Sequence, residues 1–177
     1  MLLYEDSIDI AVPEGYKNIS HMMAAQNYQY MFAGDDETDN FMIIDLMQPI
    51  QEVDLHIEDI LSMNDIVDPQ IVSLKYTCAS FKEGIGAFLA KYKSTIHPEL
   101  VEKTAEGLNW MCAELEARVS RNDGVVRSIQ ITIGVTKYTL SDIVTSVFRE
   151  TKNEKQEEAV RKMVQTIQVL NTDIFIQ

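Results

Sequence analysis

The chain has 177 residues, and since domains commonly have about 100–200 residues, we expect a single domain spanning residues 1–177. It carries 28 acidic against 15 basic residues, a formal net charge of −13 at pH 7. Such a charge repels nucleic-acid phosphates and anionic membranes, and the sequence has no run of Lys or Arg that could form a basic patch. We therefore expect neither a nucleic-acid nor a membrane partner, whereas a basic protein partner is compatible with the charge.

The N-terminal segment and the cysteines predict a cytoplasmic protein. The first residues, MLLYEDS, lack the basic and apolar regions of a secretory signal. No run approaches the ~18 apolar residues that a membrane span needs. Cys78 and Cys112 are widely spaced and form no C-x-x-C pair, which suits a reducing compartment.

The N-terminal third predicts strands. In SIDIAVPEGYKNIS, residues 7–20, apolar and polar residues alternate until the turn at 13–16, which indicates a half-buried strand. Residues 28–33 are rich in aromatic residues, and residues 41–49 form an apolar run that Pro49 ends. They predict a hairpin whose two strands are joined by the acidic loop at 34–40.

The middle of the chain predicts helices. Apolar residues recur at helical spacing over 50–63 and again over 70–93. The stretch Val72–Thr77 also alternates, so a strand stays open as the alternative there. Pro98 is typical of the first turn of a helix, and we expect a short helix that ends at Gly107.

Residues 110–135 show the clearest pattern, a β-hairpin. Apolar side chains alternate with polar ones on both strands, and Asn122–Gly124 is a typical turn sequence. Such alternation places one face on a core and the other in water or against a partner. If the C-terminal and middle helices leave it uncovered, the candidate partner-binding face consists of Glu114, Glu116, Arg118, Ser128, Gln130 and Thr132.

Two elements complete the chain. Residues 137–148 fit either a third strand or a helix capped by Ser141, and the β-branched content favours the strand. Residues 150–170 carry acids early, bases later and an apolar stripe, which predicts an amphipathic helix lying on the sheet.

This order of elements resembles the PsbP-like superfamily, which includes bacterial DcrB-type proteins and a small nuclear-import factor that binds a GTPase. The resemblance lies in SIDIAVPEGYKNIS at the start and in SIQITIGVTKYTLSDIVTSV followed by EEAVRKMVQTIQVL at the end. It implies an α+β fold in which an antiparallel sheet is packed between helices, an α/β/α sandwich. It also implies a non-enzymatic interaction scaffold, and it transfers no functional residues.

Motifs for metal or cofactor binding are missing from the sequence, and we predict no metal and no cofactor. His21, His56 and His97 lie far apart and show no ligand spacing. His56 is expected on a solvated helix face, and the acidic stretch 35–39 lacks the pattern of an EF-hand loop.

Catalytic signatures are equally absent. No G-x-S-x-G sequence or phosphate loop occurs, and both cysteines are expected to be packed core thiols. Glu114 and Glu116 share a strand face, but Arg118 and Arg127 make a surface charge ladder the better interpretation.

Three functions are compatible with these patterns. The first is a non-catalytic cytosolic interaction module with an unknown protein partner. The second is an acidic immunity or inhibitor protein that blocks a basic toxin or nuclease, because the chain is small and strongly acidic. The third is an enzyme of unrecognised type, which requires a deep pocket with a titratable residue of perturbed pKa. The sequence does not fix the partner or the oligomeric state.

Overall fold

The computed structural model describes residues 1–22, 28–35, 40–50, 52–102, 108–120, 124–150 and 153–172. The strands of these segments are β1 (Leu2–Leu3), β2 (Ile8–Asp9), β3 (Tyr16–Asn18), β4 (Gln29–Gly34), β5 (Phe41–Met47), β6 (Ile66–Tyr76), β7 (Glu99–Leu100), β8 (Asn109–Ser120), β9 (Val126–Lys137), β10 (Asp142–Arg149) and β11 (Gln168–Val169). The helices are α1 (Asp54–Met63), α2 (Lys82–Lys91) and α3 (Glu154–Gln165). None of these helices is long and apolar enough to cross a membrane.

A large central sheet organises the fold. Its strand order is β3-β4-β5-β10-β9-β8-β6-β7. Neighbouring strands pair antiparallel except for the two-residue β7, which runs parallel to β6, so the sheet is mixed rather than purely antiparallel. A second, small sheet has the order β1-β2-β11. The predicted α+β class is confirmed.

Helices cover both faces of the central sheet. One face packs against α1 and α2, where Ile57 and Phe88 join Ala113 and Leu115 in a core. The opposite face packs against α3 and the small sheet. Apolar side chains recur at helical spacing along α3, and its buried Val160, Met163 and Val164 point to the sheet. The molecule thus has three layers, with helices outside and the central sheet between them.

Helix α3 approaches the sheet closely at one glycine. A Cβ atom on Gly134 of β9 would lie 2.4 Å from Cγ2 of Val164, which is less than van der Waals contact allows. The Asn153 side chain caps the helix by accepting a hydrogen bond from the Gln156 backbone N–H at 3.1 Å. The Asn153 cap determines where α3 begins, and Gly134 allows the helix to pack closely on the sheet.

The helix predicted over 70–93 is wrong in its first half. Strand β6 occupies that part, and α2 begins only at Lys82. The cause is a β-bulge: Ile71 pairs with Leu115 and Ser73 with Glu114, which leaves Val72 as an extra residue. The buried positions therefore fall at 71, 74 and 76, and the interval from 71 to 74 imitates the spacing of a helix.

Three further predictions differ from the structure. Of the strand predicted at the start of SIDIAVPEGYKNIS, only the two-residue β2 forms. It lies in the small sheet, where it pairs with β1 and β11. The helix expected after Pro98 is wrong at its start, because Glu99–Leu100 is strand β7. The helix predicted in 150–170 ends at Gln165. Residues 103–107 and most of the acidic loop lie outside the described residues.

The strand pairs of the two predicted hairpins and the third strand are confirmed, while Asn122 and Asp123 of the predicted turn lie outside the described residues. Strands β4 and β5 pair antiparallel, as do β8 and β9. Strand β10 begins within the ambiguous segment 137–148 and ends one residue beyond it, and it pairs with both β5 and β9. Its place between two strands buries it on every side, and this explains the β-branched content that favoured a strand over a helix.

Candidate functional site

Strands β8 and β9 form a ribbon that is longer than the helix lying on it. Each strand has 12 residues, which corresponds to about 40 Å at ~3.3 Å per residue. Helix α3 also has 12 residues but spans only about 18 Å at ~1.5 Å per residue. The helix can therefore cover less than half of the ribbon face beneath it.

The predicted polar face is divided at this boundary. Glu114 and Thr132 lie in the part that we call the covered end, beneath α3. Nε of Arg161 on α3 donates a hydrogen bond to Glu114 Oε1 at 3.0 Å, and Thr132 is 1% exposed. The Thr132 hydroxyl accepts a hydrogen bond from Nη2 of the buried Arg149 at 3.0 Å. These two residues are internal contacts, so their expected exposure to a partner is wrong.

The other four predicted residues lie beyond the N-terminal part of α3 and line a cleft of about 560 Å³ that is open to solvent. Strand β6 supplies a third wall of this cleft with Asp68, Pro69 and Gln70. We call the region the open face; it consists of Val67, Asp68, Gln70, Glu116, Arg118, Val126, Ser128 and Gln130. Strand pairing places these residues side by side on three adjacent strands.

The charges of the open face are only partly compensated. Arg118 forms an ion pair with Asp68, and both side chains are more than half exposed. Glu116 is exposed, and its carboxylate makes no ion pair or hydrogen bond in the described part of the chain. Val67 and Val126 are 43% and 54% exposed. The open face thus combines one uncompensated carboxylate, polar amide and hydroxyl groups, and two accessible apolar side chains.

Sequence reasoning missed the contribution of β6 to this site. Val67 and Asp68 lie between the two helices predicted over 50–63 and 70–93, and Gln70 lies at the start of the second, so none of the three is assigned to a sheet by the sequence pattern. The signal that could have found them is Pro69 together with the alternation that follows it, because proline and bulges mark irregular strands at a sheet edge.

A buried polar cluster lies at the other end of the ribbon. Asp142 Oδ2 accepts hydrogen bonds from Lys137 Nζ at 2.8 Å and from the Ile50 N–H at 3.1 Å, and it lies 2.8 Å from His56 Nε2. Burial alone would raise the pKa of Asp142, but the hydrogen bonds from His56, Lys137 and Ile50 lower it overall. Because the carboxylate is ionised, His56 Nε2 carries the proton and donates.

His56 therefore has a structural role rather than the solvated position expected from the sequence. It is 4% exposed on α1, and Asp142 is fully buried. The cluster joins α1, the segment before it and the start of β10, so it fixes the helical layer on the sheet. Among the described residues, no group of three or more His, Cys, Asp or Glu side chains could hold a metal ion.

The cysteines are not exposed nucleophiles. Cys112 is 2% exposed and packs with Trp110 and Val164. Burial, reinforced by the nearby Glu114 carboxylate, raises the pKa of the Cys112 thiol to about 12, so it stays protonated at neutral pH. Cys78 is half-buried, and its Sγ lies 3.0 Å from the Ser80 hydroxyl.

Comparison with known proteins reveals a likeness in structure. No protein-family model matches the sequence, and a search of curated proteins returns no match. The Saccharomyces cerevisiae Ran-binding protein Mog1p superposes with a TM-score of 0.66 at 14% identity, covering 99% of this chain and 96% of Mog1p. A structure of a mutant Mog1 gives the same TM-score and identity, with 99% and 97% covered. This chain shares the fold of Mog1.

At 14% identity the likeness to Mog1 concerns the fold and transfers no residue. Mog1 has a PsbP-like fold, so the architecture implied by the sequence resemblance agrees with the comparison. The agreement extends over nearly the whole of both chains, whereas the sequence motifs covered only the two ends of this one.

Proposed function

We propose that this protein is a non-catalytic cytosolic interaction module that binds a protein partner through the open face. The observation that carries the proposal is the exposed Glu116 carboxylate in a cleft of hydrogen-bonding side chains. An uncompensated charge beside amide and hydroxyl groups is suited to recognising a complementary polar surface. The fold shared with the Ran-binding protein Mog1p adds support, because a protein of the same architecture binds a protein partner.

The cleft favours binding over catalysis. It is open to solvent, and a catalytic site normally lies in a pocket that excludes water. Cys112 and the ionised Asp142 are both buried outside the cleft. An enzyme of unrecognised type is therefore the weakest of the three functions.

An acidic immunity or inhibitor protein is the second candidate. The net charge of −13 would steer a basic toxin or nuclease to the open face, where Glu116 would form part of the contact. Because steering is screened by salt, this candidate predicts that the association rate falls steeply between low and physiological ionic strength. An association rate that is independent of salt would contradict it.

The proposal is tested by placing a photo-cross-linking amino acid at Ser128, in cells of the source organism. The matched control carries the same amino acid at Asp59, which is exposed on α1 and therefore on the opposite face of the sheet. We expect a protein adduct from position 128 and none from position 59. Equal adducts from both positions, or none from either, would contradict the proposal.

The captured protein is then purified and its affinity measured. We expect Glu116→Lys to weaken binding at least tenfold, because it reverses the uncompensated charge of the open face. Asp59→Lys changes the net charge by the same amount and should leave the affinity unchanged. Ran, the partner named for Mog1p, is assayed in parallel as a defined candidate.

A further inference from the structure

We infer that the partner presents an amphipathic α-helix to the open face, and that this helix continues the layer formed by α3. The inference rests on the proposed function above and adds the kind of element that is bound. It is drawn from the dimensions of the open face, from the contacts that α3 already makes on the same ribbon, and from the charge and apolar groups that remain exposed.

The dimensions of the open face match one helix. It spans β6, β8 and β9, and strands lie about 4.8 Å apart, so it is about 10 Å wide. A helix with its side chains is about 10–12 Å in diameter. The open face extends four residues along β9, from Val126 to Gln130, which is about 13 Å at ~3.3 Å per residue and accommodates about nine helical residues at ~1.5 Å each.

Helix α3 shows how such a helix is held. Arg161 of α3 pairs with Glu114 at 3.0 Å, and Glu116 follows two residues later on the same face of β8. Glu116 has the same chemistry but makes no ion pair or hydrogen bond among the described residues. A Lys or Arg of the partner helix placed over Glu116 would repeat the contact that Arg161 makes with Glu114.

Two apolar side chains provide anchors beside this charge. Val67 pairs with Arg118 across β6 and β8, and Val126 pairs with Ser120 across β8 and β9. Both valines are about half exposed. They lie on the two outer strands of the open face, so a helix lying over β8 would bury them under apolar residues on its two flanks, which would contribute to binding. The partner helix is therefore expected to present apolar residues on both flanks of its docked face and a basic residue between them, complementary to this strongly acidic chain.

The experiment moves the photo-cross-linker along β9, through Val126, Ser128 and Gln130 in turn, and maps the modified residue of the partner by mass spectrometry. Each step moves the probe about 6.7 Å. A partner helix lying along the ribbon would shift the modified position by about four residues a step, because it rises ~1.5 Å per residue. A partner strand would shift it by about two.

Four-residue shifts support the inference, and two-residue shifts or irregular shifts overturn it while leaving the proposed function intact. A second copy of this chain as the cross-linked partner also overturns it. Adducts absent from all three positions contradict the proposed function itself. If a variant on β9 does not fold, the same steps are taken along β8 through Glu116, Arg118 and Ser120.

A charge reversal tests the basic residue separately. Glu116→Arg should weaken binding of the purified partner at least tenfold, and changing the modified partner Lys or Arg to Glu should restore most of the loss. Glu114→Arg is not a suitable control because it would disturb α3, so Asp59→Arg is used. If the charge-reversing substitution in the partner does not restore binding, the partner's Lys or Arg does not contact Glu116, and the inferred contact is overturned.

Discussion

The covered end and the open face carry similar polar residues on the same side of one ribbon, yet only the covered end meets a helix. Glu114 is paired with Arg161 at 3.0 Å, whereas Glu116, two residues further along β8, has no such contact among the described residues. The two carboxylates differ because α3 is about half as long as the strands beneath it. Identical residue types on one strand can thus be structural or available for binding, depending on the length of a neighbouring element.

The largest effect is expected from Asp142→Asn, which removes the charge of the buried cluster that holds α1 on the face of the sheet opposite α3. Lys137 and His56 would lose the carboxylate they share, and breaking a buried charged network costs about 3 kcal/mol. Chemical denaturation should show this loss in the free energy of unfolding at pH 7. A loss below about 1 kcal/mol would mean that the cluster does not hold α1 on the sheet.

Lowering the pH should reproduce part of this loss of folding stability in the unaltered protein. The folded state lowers the pKa of Asp142 below its ordinary value of 3.8, so the stabilisation is present above that value and is lost as the pH falls through the lower folded pKa. The difference in stability between the unaltered protein and Asp142→Asn should therefore shrink below about pH 4. If the difference in stability between the two proteins stayed constant down to pH 2, the ionised Asp142 carboxylate would not be the source of the stabilisation.

Gly134→Ala should have the next largest effect, because the new Cβ would lie 2.4 Å from Val164 and force α3 away from the covered end. Overpacking of this kind costs about 2 kcal/mol. Gly86→Ala on α2 is the matched control: no atom lies within 4 Å of its added Cβ, and alanine favours helix by about 1 kcal/mol over glycine. Opposite changes in thermal midpoint are expected, and equal changes would mean that α3 does not seat on Gly134.

The smallest effects are expected from the two glutamates themselves. Glu114→Gln should lower the free energy of unfolding by about 1 kcal/mol, because it weakens a partly buried charged hydrogen bond to Arg161. Glu116→Gln should change it by less than about 0.5 kcal/mol, as surface substitutions usually do. Equal losses from the two substitutions, measured by the same denaturation assay, would remove the distinction between the covered end and the open face.

The sequence predicts the ribbon well and its surroundings poorly, for physical reasons. Alternation along β8 and β9 determines which side chains share a face, since successive residues of a strand point to opposite sides. Alternation does not show what lies over a polar face, and so Glu114 and Thr132 were assigned with Glu116 and Gln130. That information depends on the length and position of α3.

Irregular backbone accounts for most of the remaining differences. The bulge at Val72 shifts the burial pattern of β6 by one residue, and this gave the segment a helical spacing. His56 is polar and lies on an amphipathic helix, so its position alone indicates solvent. Its burial depends on Asp142, far away in the sequence, and only the pairing of β10 with β5 and β9 brings the two together.

The position of β10 has a consequence for how the protein is made. This late strand lies between β5 and β9 and pairs along its whole length with β9, while Phe148 reaches Phe41 on β5. Until residue 149 has left the ribosome, the edges of β5 and β9 remain unpaired, and free strand edges favour association with other chains. Closure of the sheet must then join segments that are distant in the chain, which makes folding slow compared with local hairpin formation. A nascent chain that stalls before Asp142 is thus left as two half-sheets, each with an open edge.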